Sequence, residues 1–155
     1  MKINVRKAKI EEADKLIDIY RKEGIDVNED NLTKNVKRDF SNIDKDRIIW
    51  FTEIDEKVVG VIQLIFKKDE QNKANVKDVA MIHHLRVAKE QEGLGVASEL
   101  NKTVENTAKE KGIKGLMLEV EKGNKKAIKI YEHWGYKYLR EGKNPKEIVL
   151  FKNLR

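Results

Sequence analysis

Apolar residues recur along the chain in groups whose spacing alternates between that of strands and that of helices. Short apolar runs rich in β-branched and aromatic residues predict strands, and apolar residues three or four positions apart predict amphipathic helices. The predicted strands cover residues 3–7, 47–53, 58–66, 79–87, 115–121, 136–140 and 147–151. The predicted helices cover residues 10–24, 28–43, 96–111 and 125–134. Because strands and helices alternate, we expect an α/β or α+β sheet with helices packed on it.

The length and organisation of the chain predict a single domain. At 155 residues the chain has the size of one domain, and we find no internal repeat or low-complexity tract. The one long polar stretch, residues 69–75, is typical of a loop between strands rather than of a linker between domains. We therefore expect one domain over residues 1–155.

The charge balance favours a small anionic ligand over nucleic acid. The chain has 33 Lys and Arg residues against 27 Asp and Glu residues, which gives a formal net charge of +6. Both signs are mixed along the chain, and no arginine-rich stripe with interleaved aromatic residues is present. The alternative of a basic nucleic-acid binder depends only on this mild excess and on scattered lysines. We therefore expect no nucleic-acid partner.

Cysteine is absent from the chain, which excludes disulfides, cysteine-ligated zinc, iron–sulfur clusters and a cysteine nucleophile. The three histidines, His83, His84 and His133, form no ligand spacing with acidic residues, so no metal site is predicted. No apolar run approaches the roughly 18 residues of a membrane span, and the first residues contain no signal-peptide stretch. We expect a soluble, cytoplasmic protein without a membrane partner.

The segment from His84 to Ser98 contains the first chemical signal. A strand leads into a turn that contains Gly93 and Gly95, and the turn leads into a helix. The first amides of a helix have no intrahelical acceptor and lie at the positive end of its dipole, so a phosphate group can bind there. Glycine lacks a Cβ and lets the backbone approach such a ligand. The alternative is a plain strand-to-helix turn without a ligand.

A second segment, residues 118–136, adds weight to the first. It contains Leu-Glu-Val, an asparagine four residues further on, an alanine, and an aromatic-Glu-x-x-Gly-aromatic ending. Together with Leu85-Arg86-Val87 and the small residues that follow, this segment resembles the two motifs of the GNAT family of N-acetyltransferases, and the order of elements resembles that of the family. The matching residues of the second motif are Val120, Asn124, Ala127, Tyr131, Glu132, Gly135 and Tyr136.

This resemblance implies a fold, a co-substrate and a binding site. The implied fold is the GNAT acyl-CoA N-acyltransferase fold, a mostly antiparallel central sheet flanked by helices, and the implied co-substrate is acetyl-CoA. In family members, amides at the positions of Leu85 and Val87 pair with the pantetheine arm, and one of them polarises the acetyl carbonyl. The implied cofactor-binding residues are Leu85, Arg86, Val87, Glu92, Gly93, Leu94, Gly95, Val96, Ala97, Ser98, Asn124, Ala127 and Tyr131.

The turn that contains Gly93 and Gly95, here called the cofactor turn, departs from the family pattern at one position. Family members have Arg or Gln there, whereas this chain has Glu92 when Gly95 and Ala97 fill the two small positions. In the alternative register, with Gly93 and Gly95 as the small residues, the position is Glu90. A carboxylate about 6–8 Å from a pyrophosphate costs on the order of 0.5–2 kcal/mol. We expect weaker CoA binding rather than its loss, although in the ligand-free protein these acids complement the helix dipole.

The implied reaction is attack of an amine on the acetyl thioester. The departing thiolate gains from a nearby proton donor, and Tyr131 lies where many family members have a donor tyrosine. The alternative for Tyr131 is a core aromatic residue on the stripe from Ala127 to Trp134. An amine of pKa about 10.4 is protonated at neutral pH, so a base or a water relay must also remove a proton.

Glu119 is the first candidate for that base. Its side chain alternates away from those of Leu118 and Val120, and the Leu-Glu-Val triplet resembles the one in which bacterial ribosomal-protein N-terminal acetyltransferases have their base. The alternative is an ordinary solvated strand carboxylate. His83 and His84 are rivals, because a histidine near pKa 6.5 suits the role, and regular alternation directs them to opposite faces of the strand.

The remaining expectations concern Asn124 and the binding partners. Asn124 begins a helix, where its side chain can cap a free amide, and the resemblance also implies that it contacts the cofactor. We expect residues 24–45 and 69–77 to contact the acceptor, which is a small-molecule or peptide amine, such as a protein N-terminus, a lysine or a polyamine. The Leu-Glu-Val triplet favours a peptide N-terminus. Relatives are often monomers or dimers, so a homodimer is among the expected states.

A GNAT-fold relative that binds CoA poorly and acts as a sensor or partner module is the alternative, supported mainly by Glu92.

Overall fold

The computed structural model describes residues 2–25, 31–66 and 78–154. The strands in this part of the chain are β1 (Ile3–Lys7), β2 (Arg47–Ile54), β3 (Lys57–Ile65), β4 (Val79–Val87), β5 (Gly115–Glu121), β6 (Lys137–Glu141) and β7 (Glu147–Asn153). The helices are α1 (Ala13–Lys22), α2 (Leu32–Ser41), α3 (Val96–Glu110) and α4 (Lys125–His133). Two short 3-10 helices, Ile10–Glu12 and Lys89–Gln91, precede α1 and α3 respectively.

Each predicted strand and helix has a counterpart, and β1, β4 and β5 have the predicted bounds. The helix predicted from residue 10 differs at its start, where a 3-10 turn precedes Ala13. Glu12 explains this start, because its side chain accepts a hydrogen bond from the Lys9 amide at 2.9 Å and pairs with Arg6 at 2.7 Å. The polar segment 69–75, and the first residues of the second predicted helix, lie outside the described residues.

The chain divides into two compact units. The first comprises Met1–Ile65 and His84–Val104, and the second comprises Phe66–His83 and Glu105–Arg155. Strand β4 and helix α3 therefore each contribute residues to both units.

In the first unit, strands β1, β2, β3 and the end of β4 follow one another in the sheet. The β1–β2 and β2–β3 pairs are antiparallel. Helices α1 and α2 cover one face and form a core with strand residues such as Phe51 and Val61. The start of α3 packs on the other face, where a Cβ added at Gly60 would lie only 2.9 Å from Val96 Cγ1. Glycine at this position thus permits the close packing that fixes the beginning of α3.

In the second unit, the order is the beginning of β4, then β5, β7 and β6. The β4–β5 pair is parallel, while β5–β7 and β6–β7 are antiparallel. Strand β5 is almost entirely buried from Gly115 to Leu118, and Gly115 leaves room for the ring of Phe151. The predicted mixed α/β fold, with mostly antiparallel strands and flanking helices, is confirmed.

Candidate active site

The turn after β4 is held in place by backbone hydrogen bonds. The Ala88 amide donates to the Val59 carbonyl at 2.8 Å, and the Lys89 amide donates to Glu23 Oε1 at 2.8 Å. The first bond continues the contact with β3 beyond the end of β4, and the second attaches the turn to the end of α1. The strand end Leu85–Val87 and the turn that follows it therefore have a fixed frame within the first unit.

The turn leads directly into the start of α3. The Glu99 amide donates to the Gly95 carbonyl at 3.0 Å, which is the first hydrogen bond of the helix. The amides of Val96, Ala97 and Ser98 consequently have no acceptor within the helix. They lie at the positive end of the dipole of a 15-residue helix. This arrangement suits an anionic group such as the pyrophosphate of a nucleotide cofactor.

Both glycines of the turn adopt a backbone conformation that other residues avoid. Gly93 and Gly95 each have φ of +82°, in the left-handed region, so a side chain at either position would strain the backbone. A Cβ added at either glycine would meet no protein atom within 4 Å, so the backbone there is open to approach. The glycines thus serve the geometry of the turn, and Ala97 already belongs to the first turn of α3.

Acidic side chains lie beside this helix start. Glu92 and Glu90 are both exposed, and Glu92 has extended backbone angles just before Gly93. Leu94, between the two glycines, is 42% exposed. The carboxylates that depart from the family pattern are therefore on the accessible surface of the turn, where they can affect the binding of an anion.

Two candidate residues of the second unit occupy β5 and the start of α4. Glu119 is half-buried between the buried residues Leu118 and Val120, and it lies opposite Val149 of β7. Asn124 is the N-cap of α4, and its side chain accepts a hydrogen bond from the Ala127 amide at 3.2 Å. The predicted capping role of Asn124 is confirmed, and Ala127 is half-buried one turn into the helix.

Tyr131 lies near the end of α4 with its ring against two other aromatic rings. Its centroid is 5.8 Å from that of Trp134 and 5.9 Å from that of Tyr136, and both pairs are edge-on. The residue is half-buried, whereas Tyr136 is only 1% exposed. Burial raises the pKa of Tyr131 above its ordinary value, so the phenol carries its proton throughout the neutral pH range. It can therefore act as a proton donor.

Four polar side chains of the first unit form a group that is not predicted from the sequence. We call it the Asp39 cluster: Asp39, Arg47, Gln63 and His84. Arg47 Nη1 lies 3.2 Å from Asp39 Oδ1 and donates to Gln63 Oε1 at 2.9 Å. Gln63 Nε2 donates to Asp39 Oδ2 at 3.3 Å, and His84 Nε2 lies 3.8 Å from the same oxygen. Four elements, α2, β2, β3 and β4, thus bring one residue each to the cluster.

One residue of the cluster, His84, has an irregular backbone conformation that the sequence does not predict. His84 has φ of +55°, a left-handed conformation inside a strand, and this interrupts the regular geometry assumed for the His83–His84 pair. His83 is half-buried and His84 is exposed. Two positions further on, the Arg86 guanidinium lies 4.9 Å above the ring of Tyr20.

Within the described ranges, no group of three or more His, Cys, Asp or Glu side chains is arranged to hold a metal ion. Among the same described residues, no helix has both the length and the apolar character needed to cross a bilayer.

A strand end, a glycine turn and the start of a 15-residue helix form an arrangement that suits an anionic group. Residues 13–136 match the model of the family described as "Acetyltransferase (GNAT) family". The chain therefore belongs to the GNAT family of acetyltransferases, whose members use acetyl-CoA as co-substrate. The predicted family is confirmed, as is the co-substrate that the family uses.

Individual proteins support this assignment. The probable N-acetyltransferase camello of Xenopus laevis is 33% identical over 88 residues, which are 57% of this chain and 37% of that protein. The matched region thus spans little more than a third of the length of this curated relative.

Solved structures agree over nearly the whole chain. The PaiA N-acetyltransferase of Thermoplasma acidophilum, in complex with coenzyme A, gives a TM-score of 0.78 at 19% identity, with 99% of each chain covered. A GNAT-family acetyltransferase of Staphylococcus aureus gives a TM-score of 0.79 at 19% identity, with 99% of this chain and 100% of that chain covered. At such identities the likeness establishes the fold, which is that of GNAT acyltransferases.

Proposed function

We propose that this protein transfers the acetyl group of acetyl-CoA to a primary amine by direct attack of the amine on the thioester. The observation that carries this proposal is the exposed glycine turn that leads into the start of α3, in a chain that belongs to the GNAT family. The amides of Val96, Ala97 and Ser98 would hold the pyrophosphate, because they point out of the helix at the positive end of its dipole.

The strand end would hold the rest of the co-substrate. Leu85 and Val87 present main-chain groups that can pair with the pantetheine arm, as a further strand would pair. An amide of this strand end would also donate to the acetyl carbonyl and stabilise the negative charge that develops there. Asn124 caps α4 through its carbonyl oxygen, so its side chain can serve the helix and the co-substrate together.

Two side chains are proposed for the proton transfers. Tyr131, which keeps its proton in the neutral range, would donate to the departing thiolate. Glu119, half-buried in β5, is the base that the sequence suggests. The amine acceptor is proposed only as a class, a small molecule or a peptide, and a homodimer and a cytoplasmic location stay predictions.

Calorimetric titration of the purified protein with acetyl-CoA is the first test, at low and at physiological salt. We expect micromolar binding that weakens as salt rises, because the pyrophosphate is bound by positive charge. A transfer assay with a panel of peptide N-termini, lysine peptides and polyamines follows, with release of the free thiol as the readout. Binding weaker than about millimolar, or about −4 kcal/mol, would contradict the proposal and favour a sensor or partner module.

A further inference from the structure

The Asp39 cluster contains one member that reaches the surface. The side chains of Asp39 and Arg47 are each only 12% exposed, whereas that of His84 is 50% exposed. We propose that His84 is the base that takes the proton from the acceptor amine. Asp39 is a positioning residue that orients the imidazole and stabilises its protonated form. This inference rests on the proposed acetyl transfer, and it replaces Glu119 with His84 in that reaction.

Asp39 is itself fixed on both sides. Arg47 holds Oδ1 at 3.2 Å, and the Gln63 amide holds Oδ2 at 3.3 Å. Arg47 is fixed in turn, since its Nε donates to Asp46 at 2.9 Å and its Nη1 to Gln63 at 2.9 Å. Because each of these groups has a defined partner, the carboxylate is a rigid support rather than a mobile surface charge.

The carboxylate faces one nitrogen of the imidazole. His84 Nε2 lies 3.8 Å from Asp39 Oδ2, longer than a hydrogen bond but within the range of an ion pair. A carboxylate on this side favours the tautomer with its proton on Nε2 and stabilises the imidazolium. In that tautomer Nδ1 carries the lone pair, which is the group that can accept a proton. Such contacts are often long before substrate binds and shorten when charge develops.

The backbone supports a dedicated role for His84. Its φ of +55° is unfavourable for a residue with a Cβ, and it is the one residue of β4 in the left-handed region. Strained conformations of this kind persist where surrounding contacts impose them, and they are concentrated at functional sites. Here the strain accompanies the approach of the imidazole to the buried carboxylate.

Partial burial and two neighbouring guanidinium groups lower the pKa of His84, so its imidazole is neutral and can accept a proton. Asp39 of α2 raises its pKa, while Arg47 of β2 and Arg86 of β4 lower it. The largest effect is burial of the ring on its cluster side, which also lowers the pKa, so the net shift is below the ordinary value of histidine. Tyr20 of α1 contacts the Arg86 guanidinium and completes the set of neighbouring groups. At neutral pH the imidazole is thus in its basic form.

Acetyl transfer by this route needs no reactant other than acetyl-CoA and the amine. The ammonium form of the acceptor loses a proton to His84 Nδ1, directly or through one water, and the free amine attacks the carbonyl carbon. The C–N bond forms and the C–S bond breaks, and the thiolate takes a proton from Tyr131. The second proton of the nitrogen returns to the tyrosinate through solvent, and His84 releases its own proton to solvent.

The test is the pH dependence of acetyl transfer in four variants, with the amine that the panel identifies. We expect His84→Gln to lower kcat about 100-fold and to remove the acidic limb of the kcat/KM profile. Asp39→Asn should shift that limb to lower pH by about one unit, because it removes a charge that favours the imidazolium. Arg86→Gln should shift the limb to higher pH. His133→Gln removes an exposed histidine of α4 and is the control, with an unchanged profile.

A second measurement requires no substrate. Ring-proton NMR follows the three histidines through pH titration, and His84 should titrate at lower pH in Asp39→Asn than in the parent protein. An unchanged titration would overturn the pairing. An acidic limb that survives in His84→Gln and disappears in Glu119→Gln would restore Glu119 as the base. If the parent protein transfers acetyl to no amine although it binds acetyl-CoA, the proposed function fails first, and the base assignment falls with it.

Discussion

Two clusters of charged side chains in this protein contain similar ion pairs but differ in how far their most exposed member reaches the surface. In the second unit, Lys152 Nζ pairs with Glu105 Oε1 at 2.8 Å and donates to the Trp134 carbonyl at 2.6 Å. The same ammonium lies 5.9 Å from the centre of the Tyr136 ring, which is almost fully buried. We call this group the Lys152 cluster. Its ammonium group is held by fixed partners inside the protein.

In the Asp39 cluster of the first unit, Asp39 and Arg47 are buried to a similar degree, but His84 is exposed. Its carboxylate and guanidinium are about as covered as Glu105, whereas half of the His84 side chain is exposed. A charge network whose most exposed member, Lys152, has only 25% of its side chain exposed holds elements together. A network that ends in an accessible histidine can also exchange protons with a substrate. The difference lies in one residue, and it separates a structural cluster from one that we assign to catalysis.

The largest effect that we expect is loss of stability in Lys152→Met. This change leaves the Glu105 carboxylate, with only 11% of its side chain exposed, without its cation, and it removes a donor from the Trp134 carbonyl. We expect a loss of about 3 kcal/mol in the free energy of unfolding, measured by urea denaturation, which is near the lower end for broken buried pairs.

Lys114→Met is the matched control for this variant. Lys114 pairs with Asp78 at 3.6 Å, but both side chains are more than half exposed. We expect this change to cost less than about 1 kcal/mol. Equal losses in the two variants would contradict the view that the Lys152 cluster is structurally distinct from an ordinary surface pair.

Tyr131→Phe tests whether a tyrosine of the second unit takes part in proton transfer or only in packing. Phenylalanine keeps the ring contacts with Trp134 and Tyr136 but removes the proton donor. We expect acetyl transfer to fall about 100-fold, in line with the loss of a general acid, while calorimetric affinity for acetyl-CoA is retained. The free energy of unfolding should change by less than about 1 kcal/mol.

Tyr136→Phe is the complementary variant, because Tyr136 belongs to the closed Lys152 cluster. Burial raises the pKa of Tyr136 strongly, and its ring is inaccessible to a substrate. We expect this variant to lose stability without a comparable loss of transfer rate. Full activity in Tyr131→Phe would remove Tyr131 from the mechanism and reduce it to a packing residue.

The sequence was sufficient for most of the fold because its signals are local. The bounds of β4 and β5 follow from short apolar runs, and Asn124 as a cap follows from its position directly before the helix predicted from residue 125. The glycine turn was likewise visible, since left-handed φ at Gly93 and Gly95 is what glycine permits.

The Asp39 cluster could not be predicted in the same way. Asp39 and His84 are 45 positions apart, and no spacing rule connects a residue of α2 with one of β4. Arg47 is followed by a run of apolar residues in β2, and Gln63 lies between apolar residues in β3, so each is an isolated polar position in the sequence. Contacts between side chains of distant elements are decided by tertiary packing, which a local periodic pattern does not encode.

The smallest effect concerns Glu92, a charge that belongs to neither cluster. It is exposed on the cofactor turn, so Glu92→Arg should leave the free energy of unfolding within about 0.5 kcal/mol of the parent. The same change replaces a repulsive charge beside the pyrophosphate with an attractive one. We expect acetyl-CoA to bind about 3- to 30-fold more tightly by calorimetry, and the gain should shrink as salt rises.

Glu90→Arg decides which register of the turn is correct. Both glutamates are exposed and two residues apart, so the two variants have the same net charge and differ only in the position of the new cation. A gain confined to Glu92→Arg would support the register in which Gly95 and Ala97 are the two small residues. A gain confined to Glu90→Arg would support the register with Gly93 and Gly95. If neither variant binds acetyl-CoA more tightly, neither side chain points at the pyrophosphate, and these acids only complement the dipole of α3.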